Sequence, residues 1–281
     1  MIERINSIKK LEQKAREIRF KTVCLAYKAR KAHSGPSLSI TDILVALYYH
    51  KMNIDPKNPQ WVERDRFILS KGHGCVSLYV ILSEVGYYPA KENLKLRKLD
   101  GLVQGHPDMK KTPGIDFTTG SLGNGIGAAV GIAIAIKIDK LKSKVYVLLG
   151  DGEMQEGIVW EAAAAAKHYK LDNLIAIVDN NNFQSSGMLT DVCDIYPLKE
   201  KWQSFGWKVL EINGHNFNEI LPALELAERC DKPCVIIART IKGKGVSFME
   251  NNNAWHQKEY TIEEYEQACK ELSIKGGSNI G

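Results

Sequence analysis

Asp151 and Asn181 stand thirty residues apart, each just past a run of apolar residues, Val145–Leu149 and Leu174–Asp179. If both runs are strands of one parallel sheet, a carboxylate and an amide oxygen converge at the same sheet edge. Two hard oxygen ligands suit Mg²⁺ or Ca²⁺ better than zinc. Asp151 lies in Gly150-Asp151-Gly152-Glu153. Gly152 lets the backbone approach an anion closely. A helix beginning near Gln155 turns free N–H groups toward that anion. The chemistry implied is a divalent ion bridged to a diphosphate. Gly-Asp-Gly alone is a common strand-end turn, but here an Asn-rich turn, Asn180-Asn181-Asn182, follows across an Ala-rich helix. Seven histidines offer groups that exchange protons near neutral pH. A histidine taken singly is more often a satisfied structural residue.

These residues need a frame. Ile5, Ile8, Leu11, Ala15, Ile18, Thr22 and Leu25 recur at helical spacing and predict an amphipathic helix over 3–31. Its Lys and Arg residues form a solvated face or a docking face for an acidic partner. Ser39 is placed to cap a helix running to about His50. Arg66–Ser70 reads as a strand, Gly72-His73-Gly74 as the turn after it, and 75–85 as a helix. Gly101–Gly120 is rich in Gly and Pro and reads as a long ordered loop, a type that is usually functional. Ile126–Ile138 reads as a buried helix, and Val145–Leu149, Gln155–Tyr169 and Leu174–Asp179 as a βαβ unit. Lys208–Ile212 and Val235–Ala238 are two more strands, flanking a helix over 217–229; Thr261–Leu272 is a terminal helix and 276–281 a frayed tail. The expectation is one α/β domain over 1–281, doubly wound, with a mainly parallel sheet and helices on both faces. Ligands in such sheets bind at the carboxyl ends of the strands.

Composition narrows the classes. The 281 residues are 44% hydrophobic and 25% charged, ordinary for a globular protein. The net charge is +5. Residues 1–31 carry ten Lys/Arg against three Glu, so the remainder is slightly acidic. A nucleic-acid surface is not expected from such a body. The longest apolar stretch, Ala128 to Ile136, is too short to span a bilayer. Six cysteines at 24, 75, 193, 230, 234 and 269 form no Cys-x-x-Cys, which points to a reducing, cytoplasmic compartment. Met1–Phe20 has neither the apolar core of a signal peptide nor the acid-poor character of a transit peptide.

Several motifs together resemble the transketolase family: GDGEMQEG at Gly150–Gly157, KLDNLIAIVDNN at Lys170–Asn181, SKGH at Ser70–His73, GHPD at Gly105–Asp108, TGSLGNG at Thr119–Gly125, and IKGKGVSFMENN at Ile241–Asn252 followed by Trp255-His256. The resemblance runs from about residue 15 to 260 and covers the amino-terminal half of a full transketolase. It is greatest to split transketolases, whose halves are separate chains. It implies thiamine diphosphate with Mg²⁺, or Ca²⁺, as cofactors. The metal would be held by Asp151, Asn181 and the backbone carbonyl of Phe183, and the diphosphate would lie beside Gly152, Glu153, Asn181, His73 and His256. Gly120 and Leu122, with Gly123, resemble the loop against the aminopyrimidine ring. His33, His73, His106 and His256 fall where the family's histidines line the substrate channel. In that comparison His106 holds the donor's terminal hydroxyl, while His33 and His256 bind sugar hydroxyls and move protons. Glu156 resembles a buried acid near a subunit interface, and Lys244 is placed to neighbour the diphosphate or a channel histidine. His215, in a loop after a strand, reads as structural or as a support just behind the site's direct contacts, and His50 and His168 as surface or packing residues. Ala32, the extra asparagines at 180–182 and Gln257 depart from the usual pattern without removing a ligand.

The glutamate that activates the cofactor's aminopyrimidine ring, and the arginines that bind the sugar phosphate, belong in this family to the other half. The resemblance therefore implies a subunit that works with a carboxy-terminal partner carrying the pyrimidine-binding and C-terminal domains, in a two-plus-two assembly. The expected reaction moves a two-carbon ketol unit from a ketose phosphate to an aldose phosphate. The expected pathway is the pentose phosphate pathway or a dedicated catabolic route. The alternatives are half of a deoxyxylulose-phosphate-synthase-like or 2-oxoacid-dehydrogenase-like enzyme, or a non-catalytic cofactor-binding paralogue.

Overall fold

Val, Ile and Leu fill the central strands because both faces of the sheet are covered. In the computed structural model, which describes residues 4–30 and 32–273, the elements follow in the order α1 (Ile8–Lys28), α2 (Ser34–Ser39), α3 (Thr41–Ala46, continued by a wider π turn, Leu47–Lys51), β1 (Arg66–Leu69), α4 (Cys75–Glu84), α5 (Asn124–Ile138), β2 (Val145–Gly150), α6 (Gly157–His168), β3 (Leu174–Asn180), α7 (Leu189–Val192), α8 (Leu198–Ser204), β4 (Lys208–Asn213), α9 (Phe217–Glu228), β5 (Cys234–Arg239) and α10 (Ile262–Leu272). The sheet has five strands, ordered β1-β2-β3-β5-β4 and parallel throughout. Every residue of β2, β3 and β5 except the last is buried, whereas the edge strand β4 is mostly not.

Two apolar cores lie on opposite faces. One packs α1, α3, α4, α9 and α10 against the sheet, with Ile18, Leu44, Ile81 and Phe217 at its centre. The other packs α5, α6 and α8, with Ala133, Ala163 and Trp202. The chain leaves β3 along the α8 face, reaches β4, and returns to β5 along the α9 face. Past its carboxyl end β5 leads on to α10, which packs with α1 on the face opposite α8, so the connections leaving the neighbours β3 and β5 diverge at their carboxyl ends. Asn181 follows β3 there and Lys242 follows β5.

The structure shifts several local expectations. The first helix begins at Ile8 rather than near residue 3, because Ser7 is extended (φ −89°, ψ 122°), and Arg30 ends the turn in the left-handed region (φ 60°). Residues 1–3, Lys31 and the tail 276–281 lie outside the described residues. Lys9, Lys10 and Lys28 of α1 lie on an exposed face, while other basic side chains of the helix tie it to the fold. Arg16 donates to the carbonyls of Glu271 (2.8 Å) and Leu272 (3.0 Å) at the carboxyl end of α10, where cations are favoured. Lys14 and Lys21 pair with Glu84. Ser39 caps nothing: it ends α2, and its hydroxyl donates to the Pro36 carbonyl (3.1 Å) and to Asp179 (2.7 Å). Ile126–Ile138 is not fully buried. Gly131, Ala135 and Ile138 face outward on a helix with no polar side chain between Gly125 and Ile136. Gly101–Gly120 is without helix or strand, as expected. Among the described residues no helix is long and apolar enough to cross a membrane.

Candidate functional site

At the end of β2, the Asp151 carboxylate is 1% exposed. It accepts from the backbone N–H groups of Gly152 (2.8 Å) and Asn182. The Asn-rich turn after β3 thus folds around it. Asn182 takes a left-handed conformation (φ 65°), which asparagine tolerates better than most residues. Asn181 accepts from the Phe183 N–H (3.0 Å), and its side-chain amide donates to Asp179 (2.9 Å). Asp151, Asn181 and Phe183 are therefore brought to one turn. Burial, and then the nearby Asp179 charge, push the Asp151 carboxyl up to about 7. A buried carboxylate so disfavoured is the group a cation would relieve. Among the described residues no cluster of three or more His, Cys, Asp or Glu could hold a metal. The oxygens brought together here are of another kind, the Asp151 carboxylate and the Asn181 amide oxygen, hard donors of the sort that suit Mg²⁺ or Ca²⁺.

Asp179, fully buried at the end of β3, is the anchor beneath this turn. Lys71, Ser39, Thr240 and Asn181 all donate to it. Burial alone would raise its carboxyl, but the Lys71 ammonium holds it below the usual range. Lys71, 2% exposed, comes from the turn after β1. Sequence reasoning missed its role; the signal was a charged residue in a strand-end turn one residue from Gly72.

Glu153 departs from its expected role. Its carboxylate is buried, accepting from Ser70, from the Gly123 N–H (2.7 Å) and from the Gly150 N–H (3.0 Å). It ties the β1 turn, the start of α5 and the end of β2 together, so the side chain orders the site rather than lining it. Gly123 itself is left-handed (φ 81°), and a side chain there would strike Ile158. Gly120 lies against the His106 ring, where an added Cβ would approach to 3.4 Å. Leu122 beside it is half-buried.

Four histidines meet from four segments. The ring of His33 lies 5.6 Å from His73, 6.0 Å from His106 and 5.4 Å from His256, centroid to centroid, and His73 lies 5.2 Å from His256. A 10 Å³ cavity opens among His33, His73, Arg97 and Gly105. Burial, reinforced by surrounding positive charge, lowers all four imidazoles, His33 to about 4 and His256 to about 3. They are neutral at pH 7 and can accept as well as donate. The other three are elsewhere. His50 Nδ1 meets the Ile5 carbonyl (3.0 Å), His168 packs edge-on to Tyr169, and His215 is held by Asp42.

Lys242, not Lys244, bridges the two ends of the site. Its ammonium is within 3.1 Å of His256 Nδ1 and donates to Asn253 Oδ1 (2.6 Å) and the Gln184 carbonyl (3.3 Å), above the Phe183 ring. Burial and the neighbouring Lys71 lower it to about 8. Lys244 instead pairs with Glu250 (3.2 Å). Gly243 between them is left-handed (φ 78°), and the bend sends the two lysines apart. Glu156, expected to be a buried acid, is exposed in this chain, beside Gly123 at the margin of α6. The arrangement is a turn with a buried carboxylate at one end, imidazoles of lowered basicity at the other, and buried lysines between, spaced as a diphosphate would need.

Residues 11–277 match the transketolase thiamine-diphosphate-binding domain family. The 6-deoxy-6-sulfo-D-fructose transketolase subunit SqwG of Clostridium sp. (strain MSTE9) is 45% identical over 95% of this chain and 97% of its own length. One subunit of the apulose-4-phosphate transketolase of Phocaeicola vulgatus is 41% identical over 95% of both. Human transketolase is 38% identical over 93% of this chain, which there spans 42% of the relative. The crystal structure of Campylobacter jejuni transketolase superposes with a TM-score of 0.90 at 36% identity, covering 95% of this chain and 43% of that one. The chain belongs to the transketolase family, within its thiamine-diphosphate-binding domain.

Proposed function

We propose that the 281 residues form one thiamine-diphosphate-binding domain serving as the amino-terminal subunit of a two-component transketolase. The observation that carries this is Lys242, which reaches the Gln184 carbonyl and the Phe183 ring just past the Asp151–Asn181 turn on one side and His256 of the four-histidine cluster on the other. Asp151, Asn181 and the Phe183 carbonyl would hold Mg²⁺ or Ca²⁺. Gly152, Lys242, His73 and His256 would hold the diphosphate, and Gly120 and Leu122 would line the ring's side. When bound, thiamine diphosphate supplies a nucleophilic carbon that accepts a two-carbon ketol unit from a ketose phosphate and passes it to an aldose phosphate. The chain's own part is to orient sugar hydroxyls and move protons with His33, His106 and His256, whose neutral rings suit both tasks.

The partner is a carboxy-terminal transketolase subunit. Two relatives of nearly this length carry the word subunit in their names, while full-length relatives are more than twice as long. The outward apolar face of α5 gives such an assembly a place to form, in a two-plus-two arrangement. Free thiols at all six cysteines fit the cytoplasm. Native mass spectrometry of the complex captured through a tag on this chain tests the reading. A second chain of similar size with bound thiamine diphosphate supports it. Capture of this chain alone, without cofactor, overturns it.

A further inference from the structure

We propose that His215 is a positioning residue that sets cofactor affinity by holding the Ile241–Lys242 segment in place, an inference that rests on the thiamine-diphosphate reading. His215 follows β4 in the turn Asn213-Gly214-His215. That turn presses on the end of β5: a Cβ on Gly214 would come within 2.6 Å of Thr240 and 3.1 Å of the Ala238 Cβ. The backbone N–H of Ile241 donates to His215 Nε2 (2.8 Å), and Nδ1 lies 2.6 Å from Asp42 Oδ2. A backbone amide can only donate, so Nε2 carries no proton and Nδ1–H donates to the carboxylate. One neutral tautomer is thereby selected. Asp42, buried on α3, is fixed in turn by Arg19 of α1 (3.0 Å to Nη1).

Ile241 needs this partner because the strand ladder of β5 stops at Arg239. Three consecutive residues are then pinned in three directions. Thr240 donates to Asp179 beneath the metal turn, Ile241 to His215, and Lys242 reaches Asn253, Gln184 and His256. His215 touches no part of the cofactor site itself; it acts through the backbone that carries Lys242.

The test is a titration of the tagged complex with thiamine diphosphate and Mg²⁺, followed by intrinsic tryptophan fluorescence. His215→Ala is expected to raise the cofactor Kd about 10- to 100-fold, the range for groups that orient a ligand's direct contacts, while kcat at saturating cofactor is retained. His215→Gln, which keeps a donor and an acceptor on one group, is expected to recover most of the loss. His215→Ala combined with Lys242→Ala is expected to lose little more than Lys242→Ala alone, because both act on one contact. An unchanged Kd in His215→Ala, even with a lowered melting temperature, overturns the proposal, as does full additivity with Lys242→Ala. Failure of the wild-type complex to bind cofactor overturns the thiamine-diphosphate reading and this proposal with it.

Discussion

Asp151 and Asp179 are two carboxylates held close together in the dry end of a sheet, and their treatment differs. Asp179 is neutralised by Lys71 and three further donors, whereas Asp151 has only backbone amides. Asp151→Asn is expected to weaken Mg²⁺-dependent cofactor binding on the order of 100-fold or more, with the metal-free melting temperature unchanged or higher, since an uncompensated buried charge is removed. Calorimetric titration and a thermal scan read the two effects. The histidines predict a pH response. Their folded values lie below the usual 6.5, so the unfolded chain binds more protons in mild acid. Their stabilisation is complete above about 6.5 and is lost as pH falls toward about 4 at His33 and about 3 at His256. Raised Asp151 works in the opposite sense, so the measurement is best made with Mg²⁺ present. His33→Gln is expected to flatten the decline in melting temperature between pH 6.5 and 4.5; an unchanged slope would contradict the burial argument. At this scale Asp151 and Asn181 were legible because each follows an obvious strand. Lys242 was not: Lys242-Gly243-Lys244 offers two equivalent lysines until the left-handed Gly243 separates them.

Helix α5 shows what an element's composition does and does not convey. Its glycines have unlike jobs. A Cβ on Gly125 would come within 2.6 Å of Ser70 Cβ and 2.7 Å of its Cα, where Ser70 must hold Glu153. Gly131 faces outward with nothing within 4 Å. Gly125→Ala is expected to cost about 2 kcal/mol or more through overpacking. Gly131→Ala is expected to stabilise the isolated chain by about 0.5–1 kcal/mol, as an exposed helical glycine should. Denaturant melts of both variants check the sign. If the outward face meets a partner, Gly131→Ala also weakens assembly, read by native mass spectrometry. The all-apolar pattern of α5 predicted burial because apolarity demands cover; it did not say whether this chain provides it.

For the whole molecule, the expectation concerns incompleteness. On the proposed reading the chain would supply groups for the metal, the diphosphate and the sugar hydroxyls, and the fold match spans under half of a full transketolase. Purified alone with saturating thiamine diphosphate and Mg²⁺, it is expected to show no ketol transfer between sugar phosphates in a coupled assay, and turnover should appear when the partner subunit is added. Robust turnover alone would contradict the two-component reading. Much of the architecture was readable because period and punctuation are local: strands filled with β-branched residues, a βαβ unit of short connections, Gly and Pro in the long loop. Errors fell at helix starts: the first helix begins at Ile8 rather than near residue 3, and Ser39 ends a short helix instead of capping the next, which only packing decides.

By itself the sequence determined the strand-end carboxylate, the asparagine turn thirty residues on and the family motifs, since each is a pattern along the chain. Tertiary structure decided which segments meet. The order β1-β2-β3-β5-β4 places β5 beside β3 and so sets Lys242 against the turn that follows Asn181. Three histidines, up to 223 residues away along the chain, come within about 6 Å of His33. The Asp42–His215–Ile241 linkage exists only where two helices and two strand ends converge. Such contacts arise from burial and from the demand that every buried polar group find a partner, and both are satisfied across space rather than along the chain.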